Sequence, residues 1–378
     1  MNFAFSETQQ LLADQVSRFI DRDYDFESRR ALLASDAGYS PAHWQTFAEL
    51  GWLGLPFDED AGGFGGDAVD LLVLFEAFGR GLLLEPYLAN VVLAGSALAL
   101  SGAKGAQAQW LQPMIAGERR LALAYAEPGA RFDALRPGTE ARAEGDGWRL
   151  HGEKVLVLHG ADADALVVSA TTPQGAGLFL VPADAGGLER RGHATFDGQR
   201  AASVRFEGTA LAAHALLAQG ERAEAVLDQV LARGIAALCA EAVGCMDALR
   251  ERTLEYLKTR KQFGRAIGEF QVLQHRMVDL FMRVEQARSM ACLAAMSADL
   301  DDPVRRQQAI AAAKVYIGDA GREVGEIAVQ LHGGMGVTDE LDVSHYFRRL
   351  TGIGIWLGDA DLHLQRFIDA RQRLDAGG

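Results

Sequence analysis

The residues of this sequence best suited to chemistry form a basic cluster beside a turn. Arg260 and Lys261 are followed by Gly264 and Arg265, and residues 249–257 before them carry apolar side chains at helical spacing. Because glycine ends helices readily, the cluster is predicted to lie where a helix stops and the chain turns. A basic cluster by itself is usually a solvated surface. Such a cluster is predicted to bind an anion only where a second segment contributes further hydrogen-bond donors.

A glycine pair about seventy residues further along the chain could contribute such donors. Gly333 and Gly334 follow an alanine-rich stretch, residues 309–328, that is predicted to be helical. Because glycine has no side chain, its backbone N–H groups can approach a ligand closely, as they do in phosphate-binding sites. Together the two segments would suit an anionic pyrophosphate group.

Two motifs carry a resemblance to a known family. Arg-Lys-Gln-Phe-Gly at 260–264 and Gln-Leu-His-Gly-Gly-Met-Gly at 330–336, with Gln271 between them, resemble the acyl-CoA dehydrogenase flavoproteins over nearly the whole chain. The resemblance is closest to the branch of pimeloyl-CoA dehydrogenase small subunits. It implies that this chain binds the adenine-diphosphate half of an FAD held mainly by a neighbouring subunit. It assigns that role to Arg260, Gln262, Phe263, Gln271, Gln330, Gly333 and Gly334.

The elements that would position these residues fall into three segments of different composition. Residues 1–117 are predicted to form an N-terminal helical domain, which opens with a capping-box pattern from Ser6 to Gln9. Residues 118–222 contain short β-forming runs between turn signals, which predict a middle antiparallel, barrel-like β-domain. Residues 223–378 predict a C-terminal four-helix bundle. This α+β multi-domain order is that of the acyl-CoA dehydrogenase fold.

Composition limits the classes of function. The 378-residue chain is 49% hydrophobic, which is ample for a large core in two or three domains, and its net charge of −14 disfavours a nucleic-acid partner. No apolar run approaches the roughly 18 residues of a membrane span, and the first six residues lack a signal-like apolar core. We therefore expect a cytoplasmic protein without a membrane partner. Cys239, Cys245 and Cys292 fit no metal motif and are expected to be buried, inert thiols.

The position of the catalytic base is where this chain departs from the family. The resemblance implies that a glutamate preceding Gly358 removes the α-proton of an acyl thioester, but this position holds Leu357. A second location used in the family falls on or about Gly234, which is no carboxylate either. Asp359 and Asp361 are the candidates for a relocated base. The alternative for both is helix capping or a favourable acidic first turn.

The segments that would face the chain's own flavin also differ from the family pattern. A hydroxyl that usually meets the flavin is replaced by Ala126, and a serine is replaced by Phe132. The tryptophan and threonine that usually support the isoalloxazine ring are replaced by Leu156 and Leu158. Each lost hydrogen bond would weaken binding by about 0.5–1.5 kcal/mol. The chain's own ring site is therefore expected to be impaired.

Three further polar residues have both a functional and a structural interpretation. Glu241 is in the apolar run 236–243, where an unpaired carboxylate would be costly, so a buried salt bridge is predicted. His159 and His332 lie in segments near the expected ligand side. Structural hydrogen bonding is predicted for both, ahead of proton transfer.

Three functions are compatible with these residues. The first is a small subunit of a hetero-oligomeric, FAD-dependent acyl-CoA dehydrogenase that desaturates an acyl-CoA thioester in carboxylic-acid degradation. The second is an active homo-oligomer with an aspartate base, and the third is a structural partner that performs no catalysis. The implied partners are acyl-CoA, a second acyl-CoA dehydrogenase subunit and an electron-transfer flavoprotein, within a dimer or tetramer. No metal site is expected.

Overall fold

The computed structural model describes residues 5–130 and 134–376. The chain divides into two compact units, a first unit of residues 1–31, 68–83 and 235–378, and a second unit of residues 32–67 and 84–234. Residues 1–4, which belong to the segment predicted to lack a secretion signal, and Phe132 lie outside the described residues.

The N-terminal part of the chain is helical. Its helices are α1 Glu7–Asp23, α2 Phe26–Ala34, α3 Pro41–Glu49, α4 Ala68–Gly81, α5 Ser96–Ser101, α6 Lys104–Ala106 and α7 Gln112–Ile115, with π-helical turns at Leu88–Gly95 and Gln107–Leu111. The predicted capping box opens α1, because the Ser6 hydroxyl accepts from the Gln9 N–H while the Gln9 side chain accepts from the Ser6 N–H. Pro41 occupies the first turn of α3, where its missing N–H has no cost.

A mixed β-sheet follows in the second unit. Its strands are β1 Leu121–Ala124, β2 Glu140–Glu144, β3 Gly147–Leu158, β4 Ala165–Thr172, β5 Gly175–Pro182, β6 Leu188–Ala194, β7 Arg200–Ala212 and β8 Leu216–Gln219. They are hydrogen-bonded in the order β6-β7-β3-β2-β4-β5-β8, with β1 beside β4. Most pairs are antiparallel, but β1 runs parallel to β4 and β2 meets β4 in parallel at one position. Strand β4 is buried on both faces, as its run of Val and Leu requires.

The C-terminal part returns to helices, joined by one short hairpin. Its elements are α8 Glu221–Thr259, β9 Lys261–Gln262, β10 Arg265–Ala266, α9 Gln271–Ser297, α10 Pro303–His332, α11 Asp342–Ile355 and α12 Ala360–Ala376. In the first unit α10 packs against α9, α11 and α12. Asp302 caps α10 by accepting from the Val304 and Arg305 N–H groups.

Glycine allows α4 and α8 to pack unusually closely. A β-carbon on Gly244 of α8 would collide with the carbonyl oxygen of Glu76, and one on Gly79 of α4 would collide with that of Glu241. The Cys245 thiol donates to the Gly79 carbonyl at 3.2 Å, and burial raises the pKa of this thiol well above its usual value. Such a thiol is inert.

The predicted fold class is confirmed: helices come first, a β-sheet domain follows, and helices close the chain. Helix α2 and the two parallel strand pairings are features that the sequence did not predict. The domain limits at residues 117 and 222 stay predictions. Among the described residues no helix is both long and apolar enough to cross a membrane.

Candidate functional site

The basic cluster lies at the end of α8, as predicted. Helix α8 ends at Thr259, and Gln262 and Arg265 then pair in the β9–β10 hairpin. The hairpin turns at Phe263 and Gly264, which both have positive φ, at 54° and 81°. Phe263 is 90% exposed at this tip. The aromatic side chain of the motif is therefore presented outward rather than packed in the core.

The cations of this hairpin are available to an external anion. Arg260, Lys261 and Arg265 are all exposed, and none has a carboxylate partner among the residues that the structure describes. The Arg265 guanidinium lies over the ring of Phe270, 4.1 Å from its centre, which anchors the hairpin to the start of α9. Most other arginines of the first unit are paired with carboxylates, so an unpaired set is distinctive.

The glycine pair forms an open turn at the end of α10. Gly333 has φ 61° and ψ −141°, a conformation that a β-carbon disfavours strongly, so glycine is needed for the backbone shape. A β-carbon on Gly333 or Gly334 would meet nothing within 4 Å. The backbone of this turn is thus uncovered, which leaves a ligand room to lie against it.

An aromatic stack joins the two segments. The rings of Tyr256 and His332 lie 4.4 Å apart and nearly parallel, so the ends of α8 and α10 are held together. The His332 Nδ1 donates to the Ala328 carbonyl at 2.8 Å, and burial lowers the pKa of its imidazole. The structural role predicted for His332 is confirmed.

This arrangement fits the diphosphate part of FAD. Exposed guanidinium, amide and backbone N–H donors meet at one end of the first unit, and no carboxylate pairs with the hairpin cations among the described residues. Donors of this kind are what a diphosphate requires. The residues that would supply them are Arg260, Gln262, Gln271, Gln330, Gly333 and Gly334, with Phe263 beside them.

The segment expected to face the chain's own flavin is built on a buried ion pair. The Lys154 Nζ is completely buried and lies 2.6 Å from Glu127 and 3.0 Å from the Ser169 hydroxyl. Burial lowers the pKa of Lys154 to about 8. Burial raises the pKa of Glu127, but Lys154 and the hydrogen bonds from Thr139 outweigh it, so that pKa is lowered overall. The pair fixes the turn after Ala126.

The described positions that the resemblance assigns to the flavin ring, Ala126, Leu156 and Leu158, carry no polar side chain. The Ala126 carbonyl accepts from Val155, and Ala126 itself offers no hydroxyl. Leu156 lies at a β-bulge of β3 with φ 52° and is 49% exposed, whereas Leu158 is buried. The bulge projects an aliphatic side chain at the place where the resemblance requires tryptophan. Phe132 falls outside the described residues.

His159 follows this strand, its backbone N–H donates to the Arg200 carbonyl at 2.9 Å, and its side chain is buried. Burial lowers the pKa of its imidazole to about 4. Its ring packs edge-on against Tyr39, with centroids 5.9 Å apart. Burial and this ring contact are consistent with the structural role predicted for His159.

The position that the resemblance assigns to the base holds Leu357, which is not a carboxylate. Leu357 is buried with φ 59°, and its carbonyl accepts from the Nε2 of His363 at 3.0 Å. Asp359 accepts the Leu362 N–H at 3.0 Å and so caps α12, while Asp361 lies exposed in the first turn of that helix. This geometry matches the capping alternative. The assignment of either aspartate as a base stays a prediction.

Two further positions were candidates for a carboxylate base. Glu241 is buried against Arg349 in a two-pronged ion pair, with oxygen–nitrogen distances of 2.6 and 2.7 Å. The predicted salt bridge is confirmed, so this carboxylate is already occupied. Gly234 lies buried inside α8.

Two buried lysines escaped the sequence reasoning. One is Lys154, and the other is Lys314 of α10, which donates to the Ile353 carbonyl and whose pKa burial lowers to about 8. The negative charge of Asp359 acts in the opposite direction on that pKa. A single lysine inside an apolar stretch, such as residues 309–317, was the signal that could have pointed to Lys314.

Sequence profiles and relatives place the chain in one family. Profiles of acyl-CoA dehydrogenases match residues 6–118 as the N-terminal domain, 122–208 as the middle domain and 224–371 as the C-terminal domain. Acyl-CoA dehydrogenase FadE27 of Mycobacterium tuberculosis is 30% identical over 97% of this chain and 97% of its own length. The chain belongs to the acyl-CoA dehydrogenase family. Members of this family are oxidoreductases that bind FAD.

Solved structures of acyl-CoA dehydrogenases show the same fold. A variant of the protein named Tcur3481-Tcur3483 steroid ACAD is 32% identical, with a TM-score of 0.89 over 98% of this chain and 99% of that one. The ChsE4-ChsE5 complex from Mycobacterium tuberculosis contains a chain that is 28% identical, with a TM-score of 0.87 over 97% of each chain.

Proposed function

We propose that this acyl-CoA dehydrogenase chain is the small subunit of a hetero-oligomer that desaturates an acyl-CoA thioester, and that it lacks the catalytic base. One observation carries the proposal. The residues that a neighbour's FAD would need are present, exposed and free of competing carboxylates, whereas the base position of this chain is Leu357. A chain that retains the residues for contacting a neighbour's FAD, but lacks a base of its own, depends on that neighbour for removal of the α-proton.

The work of this chain is then to bind and orient. Arg260 would neutralise charge on the diphosphate, and the open turn at Gly333 and Gly334 would let backbone N–H groups reach it. FAD held by these residues would supply the acceptor for the β-hydrogen, which leaves the acyl chain as hydride. The Tyr256–His332 stack would keep the two binding segments in register during this step.

Removal of the α-proton is assigned to the partner. A general base must lie within hydrogen-bond reach of the proton, and it must be a group that can accept it. Leu357 cannot accept a proton, Glu241 is occupied by Arg349, and Asp359 caps α12. The partner subunit would therefore supply a carboxylate at the position equivalent to Leu357.

The relatives support a two-protein assembly. Two of the similar structures are named by pairs of proteins, the Tcur3481-Tcur3483 steroid ACAD and the ChsE4-ChsE5 complex. Helix α9 also carries apolar side chains that are exposed on the single chain, as an interface would require. These side chains are Val272, Val278, Phe281, Met282, Leu293 and Met296.

The substrate is proposed as a coenzyme A thioester of a ring-bearing or dicarboxylic acid. The steroid relative supports the ring-bearing class, and the resemblance to pimeloyl-CoA dehydrogenase small subunits supports the dicarboxylic class. An electron-transfer flavoprotein is proposed as the acceptor that reoxidises the flavin.

Co-expression tests the assembly directly. The chain would be produced with an acyl-CoA dehydrogenase-family protein encoded beside it, purified through a tag on this chain, and assayed for flavin per protein and for oxidation of steroid-type and pimeloyl-type thioesters. We expect a complex with fewer than one FAD per polypeptide and turnover that the separate chains lack. A fully flavinated, active assembly of this chain alone would instead establish the homo-oligomer.

The partner's base provides the matched control. Replacing its glutamate by glutamine should abolish turnover while the complex keeps its FAD, because general-base loss acts on the chemical step. If that variant stays active while Asp359→Asn in this chain abolishes turnover, the base belongs to this chain and the proposed division of labour is wrong.

A further inference from the structure

The first unit contains a cavity that none of the proposed FAD-binding residues lines. Its volume is about 460 Å³, within the range of small-molecule sites. Helices α1, α2, α4, α8 and α11 contribute its walls. Residues that matter for its chemistry are Ile20, Phe26, Arg29, Ala77, Arg80 and Arg252.

The deepest charge in this cavity is Arg29, which is only 2% exposed. Its Nε donates to the Leu82 carbonyl at 2.7 Å, at the end of α4. Its Nη1 lies 3.0 Å from the Nδ1 of His345, and the Nε2 of that ring is 3.3 Å from the Asp339 carbonyl. Since His345 gives one nitrogen to each contact, it accepts from Arg29 as a neutral imidazole.

Arg29 has no carboxylate partner among the residues that the structure describes, and its Nη2 makes no hydrogen bond there. The two other arginines of the cavity differ. Arg252 is ion-paired with Asp342, and the Arg80 Nη2 lies 2.7 Å from Glu251. A buried guanidinium without a counterion is unfavourable, because burial removes the water that would stabilise its charge. Among the described residues, Arg29 is thus the one arginine of this cavity that no carboxylate contacts.

We propose that the cavity binds a small organic carboxylate, with Arg29 as the counterion of the ligand. The ligand should carry a single negative charge, because Arg80 and Arg252 are already paired. Exposed Asp21 and Asp25 also line the cavity and repel polyanions such as phosphates. Ile20 and Phe26 provide an apolar wall for a short hydrocarbon chain. The carboxylate meets the free edge of the Arg29 guanidinium, and the chain lies against this wall.

Calorimetry with hexanoate tests the proposal on the assembled, FAD-loaded protein. We expect hexanoate to bind with one site per chain, and hexanamide, which has the same length and no charge, to bind at least about tenfold more weakly. Absence of hexanoate binding at millimolar concentration, or equal affinity for the two compounds, would overturn the proposal.

Variants separate this cavity from the acyl-CoA site. Arg29→Gln should weaken hexanoate binding at least about tenfold. Arg30→Gln is the matched control, because Arg30 lies next to it on α2, is exposed and does not line the cavity; its binding should equal that of the unaltered protein. If Arg29→Gln fails to fold, Ala77→Leu keeps the arginine, narrows the cavity and should also weaken binding. Unchanged hexanoate affinity in the folded variants would contradict the assignment.

Crystals soaked with 6-bromohexanoate locate the ligand. The anomalous signal of bromine is expected inside the cavity, with the carboxylate against Arg29. A signal only at another position would show that hexanoate binds elsewhere, and the proposal would then be abandoned. The failure of this proposal leaves the hetero-oligomer untouched, since that assembly is tested by flavin content and turnover.

Discussion

At the scale of single residues, some charged side chains have no charged partner, whereas others are already held in ion pairs or helix caps. Arg260 has no carboxylate partner among the described residues, whereas Arg349 is bound to Glu241 by two short contacts. Asp359 is committed as the cap of α12. A free cation can bind a ligand at little cost, but a committed carboxylate must first break its own contacts.

Arg260→Ala should lower the FAD content of the assembled complex. The substitution removes a charge-assisted contact to a phosphate, which contributes about 1.5–3 kcal/mol. Absorbance at the flavin band, relative to protein, measures the loss. Arg371→Ala, on the exposed face of α12, is the control and should leave the ratio unchanged. An unaltered ratio in the Arg260 variant would remove this residue from the site.

Two substitutions of Asp359 distinguish a cap from a base. Asparagine caps helices as well as aspartate but cannot take up a proton, so Asp359→Asn should leave both stability and turnover of the complex unchanged. Asp359→Ala should lower the free energy of unfolding by about 1 kcal/mol. Denaturant titration and steady-state assays measure the two effects. A loss of orders of magnitude in turnover with asparagine would identify Asp359 as the base.

Acid should destabilise the protein through its buried histidines. Burial lowers the pKa of His363 to about 4, whereas an unfolded histidine titrates near 6.5. Between these values the unfolded chain binds more protons than the folded one, so stability is complete above about pH 6.5 and falls as the pH drops toward 4. The loss from this group is on the order of 3 kcal/mol.

Denaturant titrations at pH 7.5, 6 and 5 measure this dependence. His363→Gln keeps a donor for the Leu357 carbonyl and removes the titration, so its stability should vary less over the same range. The exposed His193 is the control, and His193→Gln should follow the unaltered protein. Equal slopes for the His363 variant and the unaltered protein would show that His363 does not contribute.

At the scale of elements, the packing of α4 on α8 depends on glycine. These helices approach so closely that neither Gly79 nor Gly244 can carry a β-carbon without meeting a backbone carbonyl of the other helix. Backbone atoms cannot rotate away as a side chain can, so the helices themselves would have to separate. Glu241 and Cys245 lie on the same stretch of α8, and their contacts would be disturbed as well.

Gly244→Ala should therefore destabilise the protein by about 1–3 kcal/mol, the usual range for overpacking. Thermal unfolding measures the change. Gly105→Ala is the matched control, since Gly105 lies in helix α6 and a β-carbon there meets nothing within 4 Å. That control should be neutral or slightly stabilising, because alanine is the better helix former. A Gly244 variant as stable as the control would mean that the helices adjust at no cost.

At the scale of the whole molecule, two features are consistent with the proposed assembly with a second subunit. The first unit presents the hairpin cations and the open glycine turn, and Leu357 stands at the position that the resemblance assigns to the base. The exposed apolar side chains of α9 are typical of an interface with another chain. The proposed assembly with a neighbour would account for both features.

The purified chain alone should accordingly be inactive and should not persist as a flavin-bound monomer. An artificial electron acceptor with acyl-CoA measures the activity, and light scattering with absorbance measures mass and flavin together. Leu357→Glu should not restore turnover, because Ala126, Leu156 and Leu158 still offer a flavin ring no polar contact. Robust turnover by the isolated chain, abolished by one aspartate substitution, is the result that would contradict this.

The sequence by itself determined the order of the elements and the family. Local signals suffice for these, since a capping box at Ser6, short β-forming runs and long apolar periodicities depend on neighbours in the chain. The motifs at 260–264 and 330–336 are equally local, and so is the substitution of the base by Leu357. Helix α2 was missed because its short amphipathic pattern is too weak to stand out.

Only the tertiary structure decided which charges are free. The pairing of Glu241 with Arg349 joins residues 108 positions apart, and the stack of Tyr256 on His332 joins residues 76 positions apart. The parallel pairing of β1 with β4 and the unmatched charge of Arg29 are likewise invisible to local pattern. Ion pairing and burial depend on distances across the fold, and a linear sequence specifies those only through the packing of every element at once.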